Sequence, residues 1–351
     1  MSPGFAGLLP HEISAVCGFD RRYRGTQVFI WLARGALTFQ DMTNIPAAER
    51  DYLAGRFPVL METSVDESFL DADGTVKLRL RLTDGAAVEA VLLTDIEGRR
   101  TACLSTQVGC PMGCAFCRTG GLGFLRNLEA FEITEQYLHL ARLYGRPSNL
   151  VFMGMGEPLL NLREVRKAVA VLSHPDGIGL SLRKITISTC GLPDGIRNLA
   201  DEGPRVRLAV SLVTAVEELR NELMPVNRAH GLVELKAALE YHQSRTGDRI
   251  TLEVVLIRER NDSPRDIRAL LEWARPLKVQ VNLIPWNPVP DLPFREPSRR
   301  AVEEAAAILE SAGIPATRRM RRGRGILGAC GQLGDTLHAP GSASAPPDLR
   351  I

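Results

Sequence analysis

Residues 107–124 read QVGCPMGCAFCRTGGLGF and place Cys110, Cys114 and Cys117 in one C-x3-C-x2-C run. Three thiolates this close in sequence can wrap a single centre if the chain curls tightly, which Gly109 and Gly113 permit. A structural zinc ion asks for four ligands, commonly from paired C-x2-C knuckles. Here there is no second knuckle and no nearby histidine. Three cysteines on a four-iron cluster instead leave one iron open to an outside ligand. Spacing alone leaves both chemistries standing, the zinc version borrowing Cys103 or Cys330 as its fourth ligand. The remaining cysteines are Cys17, Cys103, Cys190 and Cys330, seven in all. An odd, unevenly clustered set points to metal binding or catalysis rather than to a disulfide framework. A lone cysteine is most often a small buried hydrophobe, and as a thiolate it is a nucleophile. In FMGMGEP, Gly154 and Gly156 allow close backbone approach and Glu157 offers an anionic acceptor for an ammonium group. The plain alternative is a Gly-Pro turn.

These residues need elements to hold them. HEISAVCGF, RGTQVFIWLARG and PAAERDYLAGRF carry apolar residues at three- and four-residue spacing, so residues 11–70 read as helical. That predicts a small helical accessory domain over 1–72. TVKLRLRL and VEAVLLT then alternate strictly about an Asp84-Gly85 turn, a half-buried hairpin. Val76, Leu78, Leu80 and Leu82 share one face, Lys77, Arg79 and Arg81 the other, and Glu89 reads as a solvated strand residue. From Thr101, the strands TACLS, NLVFMG, KITIST, RLAVSL, ITLEVVL and VQVNLIP alternate with amphipathic helices. Six βα units imply parallel strands with right-handed crossovers. The fold class is α/β, a partial (βα)6 TIM-like barrel that with the hairpin spans 73–338; a doubly wound sheet is the alternative. Such barrels carry their chemistry at the carboxyl ends of the strands. Cys110, Glu157, Ser188, Ser211 and Asn287 all stand at or just past such ends. The Pro-, Ser- and Ala-rich tail, 339–351, is expected to be disordered.

Across 351 residues, 45% hydrophobic and 24% charged content is ordinary for a soluble globular chain. A net charge of +2 excludes a uniformly basic coat for nucleic acid but leaves room for a local patch. Arg318, Arg319, Arg321, Arg322 and Arg324 crowd just ahead of Cys330, and Arg21, Arg22, Arg24 and Arg34 lie in the helical region. No apolar run approaches the roughly 18 residues of a membrane span, and the first residues lack a signal-peptide pattern. The expectation is a cytoplasmic protein with reduced thiols and no membrane partner.

CPMGCAFC resembles the signature of the radical S-adenosylmethionine (SAM) enzymes. CLSTQVGCPMGCAFCRTGGLGFLRNL, FMGMGEPLLN, VNLIPWNP and ACGQL together resemble one branch, the 23S rRNA adenine-C2 methyltransferases. The likeness is collinear from about residue 20 to 335, and the adenine-C8 methyltransferases that confer antibiotic resistance share it. It implies a radical SAM barrel with a [4Fe-4S] cluster on Cys110, Cys114 and Cys117. The open iron of that cluster takes the amino and carboxylate groups of SAM, whose reductive cleavage yields a 5′-deoxyadenosyl radical. The resemblance further implies SAM contacts at Gly156, Glu157, Ser188, Ser211 and Asn287, and two SAM per turnover. Cys330 would accept a methyl group from the first SAM. The radical from the second would abstract hydrogen from it, and the carbon radical would add to adenine. Cys103 would then close a disulfide with Cys330 to release the product, and Glu89 would handle the ring proton. Implied partners are 23S rRNA, tRNA as a second substrate, and an electron donor such as flavodoxin. Two departures stand out: Val213 where the family commonly has histidine, and Arg324 where acidic residues are common. Few aromatics are available for stacking, so the adenine must be unstacked by fold and pocket. The expected function is adenine-C2 methylation of 23S rRNA and tRNA. C8 methylation is the alternative, and a zinc-bound RNA-binding protein without catalysis represents a different class.

Overall fold

A computed structural model of the chain describes residues 4–334. The expected disordered tail, 339–351, and the end of the 73–338 span lie outside the described residues.

Three helices come first: α1 (Pro10–Cys17), α2 (Tyr23–Ala33) and α3 (Ala47–Arg56). Their apolar faces close over a core of their own, with Phe5, Ile13, Val28, Phe39 and Leu53 almost wholly buried. Cys17 sits in that core as a small hydrophobe.

The helical pattern stops earlier than the sequence suggested. Ser64–Leu70 is a strand, β1, pairing antiparallel with β2 (Val76–Arg81). Its sequence, SVDESFL, has no continuous apolar face because it is an edge strand exposed along much of its length. β2 pairs antiparallel with β3 (Ala87–Thr94), and β3 with β4 (Arg100–Cys103). The face of β2 that alternation assigns to solvent is covered: Lys77 and Arg79 are buried. Lys77 Nζ lies 3.0 Å from the Glu89 carboxylate, so Glu89 is not the solvated residue expected from its strand.

The cysteine loop is framed by a separate ribbon of β5 (Gln107–Gly109) and β6 (Phe124–Asn127), enclosing the short α4 (Arg118–Gly121). Then the βα alternation runs as expected: α5 (Ala130–Tyr144), β7 (Asn149–Phe152), α6 (Leu162–Ser173), β8 (Ile185–Thr189), α7 (Pro193–Glu202) and β9 (Arg207–Ser211). The next crossover holds two helices, α8 (Glu217–Leu223) and α9 (Leu232–Thr246), where the sequence showed one. β10 (Ile250–Leu256), α10 (Pro264–Ala274), β11 (Val279–Pro285) and α11 (Arg299–Ser311) complete the six units. A seventh parallel strand, β12 (Ala316–Arg318), follows; three residues are too few to show a period.

All but the β5–β6 ribbon form one ten-stranded sheet, ordered β1-β2-β3-β4-β7-β8-β9-β10-β11-β12. β4 and β7 to β12 run parallel, and the sheet's two edges are β1 and β12, so the barrel is open. Leu150, Ile187, Val210, Leu252 and Leu283 anchor a core continuous with the hairpin strands.

Candidate active site

The three-cysteine loop leaves the barrel just past β4. Its entry depends on Gly109, at φ +78°, where a Cβ would stand 2.1 Å from the Gly123 carbonyl oxygen. The Cys110 N–H donates to that same oxygen at 2.7 Å, closing the loop's neck, and the Cys117 N–H donates to the Cys114 carbonyl. All three thiols line one cavity of about 160 Å³. Gly156, Glu157, Ser188, Ser211, Asn287 and Cys330 line the same cavity. The expected cluster residues, the expected SAM residues and one of the two reactive cysteines therefore meet at the carboxyl ends of the strands, where parallel barrels hold ligands.

The thiols are ill placed to ionise unaided. Burial, with the charge of Cys117 added, pushes Cys110 up to about 12. Burial and the other two sulfurs push Cys114 well above its ordinary value, and burial raises Cys117. Bound iron supplies the positive charge that such a set lacks and deprotonates coordinating thiols outright. These residues therefore fit an iron–sulfur cluster. No three His, Cys, Asp or Glu side chains among the described residues gather tightly enough for a single ion. A cluster does not ask them to, since its cysteines bind different irons. A wholly buried cation lies behind the loop. Arg220 donates to the carbonyls of Leu212 and Cys190 at 3.1 and 2.8 Å, and its charge favours the Cys114 thiolate.

The remaining wall suits a zwitterion with an adenosine. Gly156, at φ +103°, leaves no room for a side chain, since a Cβ would lie 2.6 Å from Gln107 Cβ. The Glu157 carboxylate, its pKa raised by burial, accepts the N–H groups of Leu159 and Cys190 at 3.0 and 2.7 Å. The side chains of Thr189 and Cys190 also bond to it, and the carboxylate so held lines the cavity. Asn287 donates from Nδ2 to the Cys330 carbonyl at 3.1 Å, while its buried Oδ1 accepts from nothing among the described residues. A buried acceptor without a donor implies a ligand that supplies one. Val213 is fully buried and held at φ +64°, a costly conformation for a β-branched residue. It belongs to a buried cluster with Phe116, Met224 and Trp286 and is not among the residues lining the cavity.

Cys330 hangs in a loop held from four directions. Asn287 fixes its carbonyl; the Arg118 N–H donates to the Gly331 carbonyl at 2.8 Å and Thr119 Oγ1 to that of Leu333 at 2.7 Å. The N–H groups of Gly323 and Gly325 donate to Asp73 and Asp71, both at 2.8 Å. The Gly334 N–H donates to Glu89 at 2.7 Å. On its other side Cys330 lines a larger groove, of about 640 Å³, together with Cys103 and Arg319. Burial, with Cys330 opposite, pushes the Cys103 thiol up to about 12. The two lone cysteines thus share one groove, and Cys330 also borders the three-thiol cavity. Glu89 lines neither space: it is sealed behind the Cys330 segment between Lys77 and Gly334.

Three lining residues escaped the sequence reading. Cys190 lines the three-thiol cavity; Trp286 joins it and donates from Nε1 to the Phe116 carbonyl at 3.0 Å. Arg319 enters both spaces, and Cys330 opposite it raises its pKa. Only its place in the arginine run marked it. The rest of that run is largely tied down: Arg318 pairs with Glu310 at 3.1 Å, and Arg321 and Arg324 both pair with Glu296.

Residues 104–274 match the radical SAM superfamily. A protein named "Probable dual-specificity RNA methyltransferase RlmN" from Treponema pallidum (strain Nichols) is 52% identical over 331 residues, covering 94% of this chain and 97% of its own. Its namesake from Moorella thermoacetica is 46% identical over 339 residues, covering 93% and 96%. The crystal structure of a radical SAM methyltransferase from Sphaerobacter thermophilus superposes with a TM-score of 0.89 at 40% identity, covering 95% of this chain and 99% of that one.

Proposed function

Because the chain belongs to the RlmN family of radical SAM RNA methyltransferases, we propose that it methylates adenine at C2, in 23S rRNA and in tRNA, through a methyl group carried on Cys330. The observation that carries this reading is the position of Cys330 on the wall between the three-thiol cavity and the groove of Cys103. Cys110, Cys114 and Cys117 hold a [4Fe-4S] cluster, and Gly156, Glu157, Ser188, Ser211 and Asn287 hold SAM. When bound, these groups supply the electron, the methyl group and the 5′-deoxyadenosyl radical, two SAM being used per turnover.

The chain's own residues do the rest. The Cys330 sulfur, facing Arg319, attacks the methyl carbon in an ordinary displacement, and the sulfonium of SAM departs as a neutral thioether. After its methyl carbon has joined the adenine ring, Cys103 attacks the Cys330 sulfur. The sulfur–carbon bond breaks with its electron pair going to the carbon, which takes up a proton to become the methyl group; the methylated base leaves, and a Cys103–Cys330 disulfide remains to be reduced. Glu89 takes the ring proton once Gly334 moves off it. A flavodoxin-type donor in a reducing cytoplasm supplies electrons; no helix among the described residues is long and apolar enough to cross a membrane.

Mass spectrometry of rRNA and tRNA, from cells with and without the protein, is the test. 2-Methyladenine in both supports the reading, and 8-methyladenine overturns the regiochemistry. RNA methylation by the Cys330→Ala variant overturns the mechanism.

A further inference from the structure

The groove of Cys103 and Cys330 continues down the barrel. It shares Met153, Arg207, Asn282 and Arg319 with a second concavity of about 870 Å³ that opens at the amino ends of β8 to β11. Four exposed arginines stand around that mouth: Arg183 ahead of β8, Arg205 and Arg207 at the start of β9, and Arg249 ahead of β10. None has a hydrogen-bond or carboxylate partner among the described residues. Lys278, at the start of β11, adds a fifth cation and gives one bond to the Gly247 carbonyl.

What sets these four apart is that they gather at one mouth, whereas several exposed arginines elsewhere are each matched to a carboxylate. Arg299 and Arg300 reach Glu303 and Glu304 at 2.7 and 2.6 Å, and Arg245 reaches Asp201 at 3.1 Å. Two carboxylates line the mouth, Asp248 and Glu253, and Asn282 already occupies Glu253 at 2.7 Å. The amino-end face of a parallel barrel ordinarily serves stability. Gathering unpaired like charge there does the reverse, since it repels itself until an anion arrives. At the carboxyl-end face, by contrast, hydrogen bonds join the cysteine loop to the Cys330 loop.

We propose that this mouth binds the phosphodiester backbone of the substrate RNA beside the target adenine, with Arg183, Arg205, Arg207 and Arg249 as its phosphate contacts. The inference rests on the RNA methyltransferase reading and adds the surface that reading lacks, because Arg318, Arg321 and Arg324 in the run before Cys330 spend their charge on Glu310 and Glu296. Strands about 4.8 Å apart spread the cations over roughly 14 Å from β8 to β11. That length runs beside about two or three phosphates of one strand. Guanidinium groups suit them, being planar donors for paired phosphate oxygens.

The test uses reconstituted holoenzyme, a stem-loop of 23S rRNA containing the target adenine, and whole tRNA. Arg205→Glu/Arg207→Glu and Arg183→Glu/Arg249→Glu are compared with a charge-matched control on the outer helix, Arg299→Glu/Arg300→Glu. Affinity is read by fluorescence anisotropy between about 50 and 200 mM salt. The mouth variants should bind at least about tenfold more weakly and lose roughly 0.7–0.9 of the log–log salt slope per contact removed. RNA-independent methylation of Cys330 by Arg183→Glu/Arg249→Glu, whose residues line the mouth but not the cysteine groove, should match wild type by intact mass. Unchanged affinity and slope, in a wild type that methylates RNA, would overturn the proposal and leave the function standing. An equal loss in the control would overturn it too, since bulk charge would then suffice. A wild type that neither binds nor methylates either RNA defeats the methyltransferase reading itself.

Discussion

Cys330 and Cys103 share a groove yet differ in what surrounds them. Cys330 is half-buried and borders both spaces, whereas Cys103 is buried on β4 with its thiol pushed up to about 12, by burial first and then by Cys330. That difference suits a first cysteine that meets SAM and a second that acts only after Cys330 has joined to the base. Cys103→Ala should therefore complete the carbon–carbon bond and stall, leaving protein covalently attached to RNA. A band surviving denaturing electrophoresis and destroyed by ribonuclease is expected, and Cys330→Ala should not give it. The Lys77–Glu89 pair makes a different demand. Both side chains are almost wholly buried at 3.0 Å. Removing one member of such a pair strands a charge and costs about 3–5 kcal/mol, while replacing both by neutral groups of similar size is nearly neutral. Lys77→Met should lower the unfolding free energy by that amount, and Lys77→Met/Glu89→Gln should recover most of it in a denaturant titration. If the double variant is no more stable than the single, the pair is not what holds these two positions.

At the scale of elements, the β1–β2 turn acts on the reactive loop from outside the barrel. Asp71 and Asp73, at its tip, accept the N–H groups of Gly325 and Gly323 and so fix the approach of the chain to Cys330. Asp71→Ala/Asp73→Ala should slow methylation of Cys330 by up to about thirtyfold, for two hydrogen bonds near 1 kcal/mol each. Iron content and SAM binding should not change. Burial works against ionisation of Asp73, but bonds from Thr75 and Gly323 outweigh it and hold its pKa below the usual value. A carboxylate with a lowered folded pKa contributes stability that is present above its unfolded pKa, about 3.9, and lost as pH falls through the lower value. Wild type and the double variant should therefore show parallel pH–rate profiles above about pH 5. Profiles that diverge there would assign the effect to another group. The same scale shows what sequence can reveal. The six strands of the barrel were legible because parallel strands covered on both faces read as apolar runs. β1 was not, because a polar edge strand has no apolar face to display. The buried face of β2 was not, because Lys77 acquires its partner only when β3 folds beside it.

Across the whole molecule, the cysteine motif was legible because its spacing is local, and Cys103 and Cys330 stood out only through their resemblance to a family. The bonds that unite these parts join residues far apart in the chain: Arg118 and Thr119 with Gly331 and Leu333, Trp286 with Phe116, Asn287 with Cys330. No periodicity encodes such pairs, and none encodes which arginines find a carboxylate. They make the cysteine loop and the Cys330 loop a single unit suspended over the barrel. Without iron, the cysteine loop keeps three thiols that burial holds protonated, and its attachment falls to these few hydrogen bonds. A bound group stabilises whatever it holds together. Stripping the cluster with chelator and oxidant should therefore raise amide hydrogen exchange over residues 110–121 and 328–334 together. Helices α1 to α3, closed over their own core, should keep their protection. Exchange that rises over 110–121 alone would mean that the cluster steadies only its own loop and that Cys330 is positioned by the barrel.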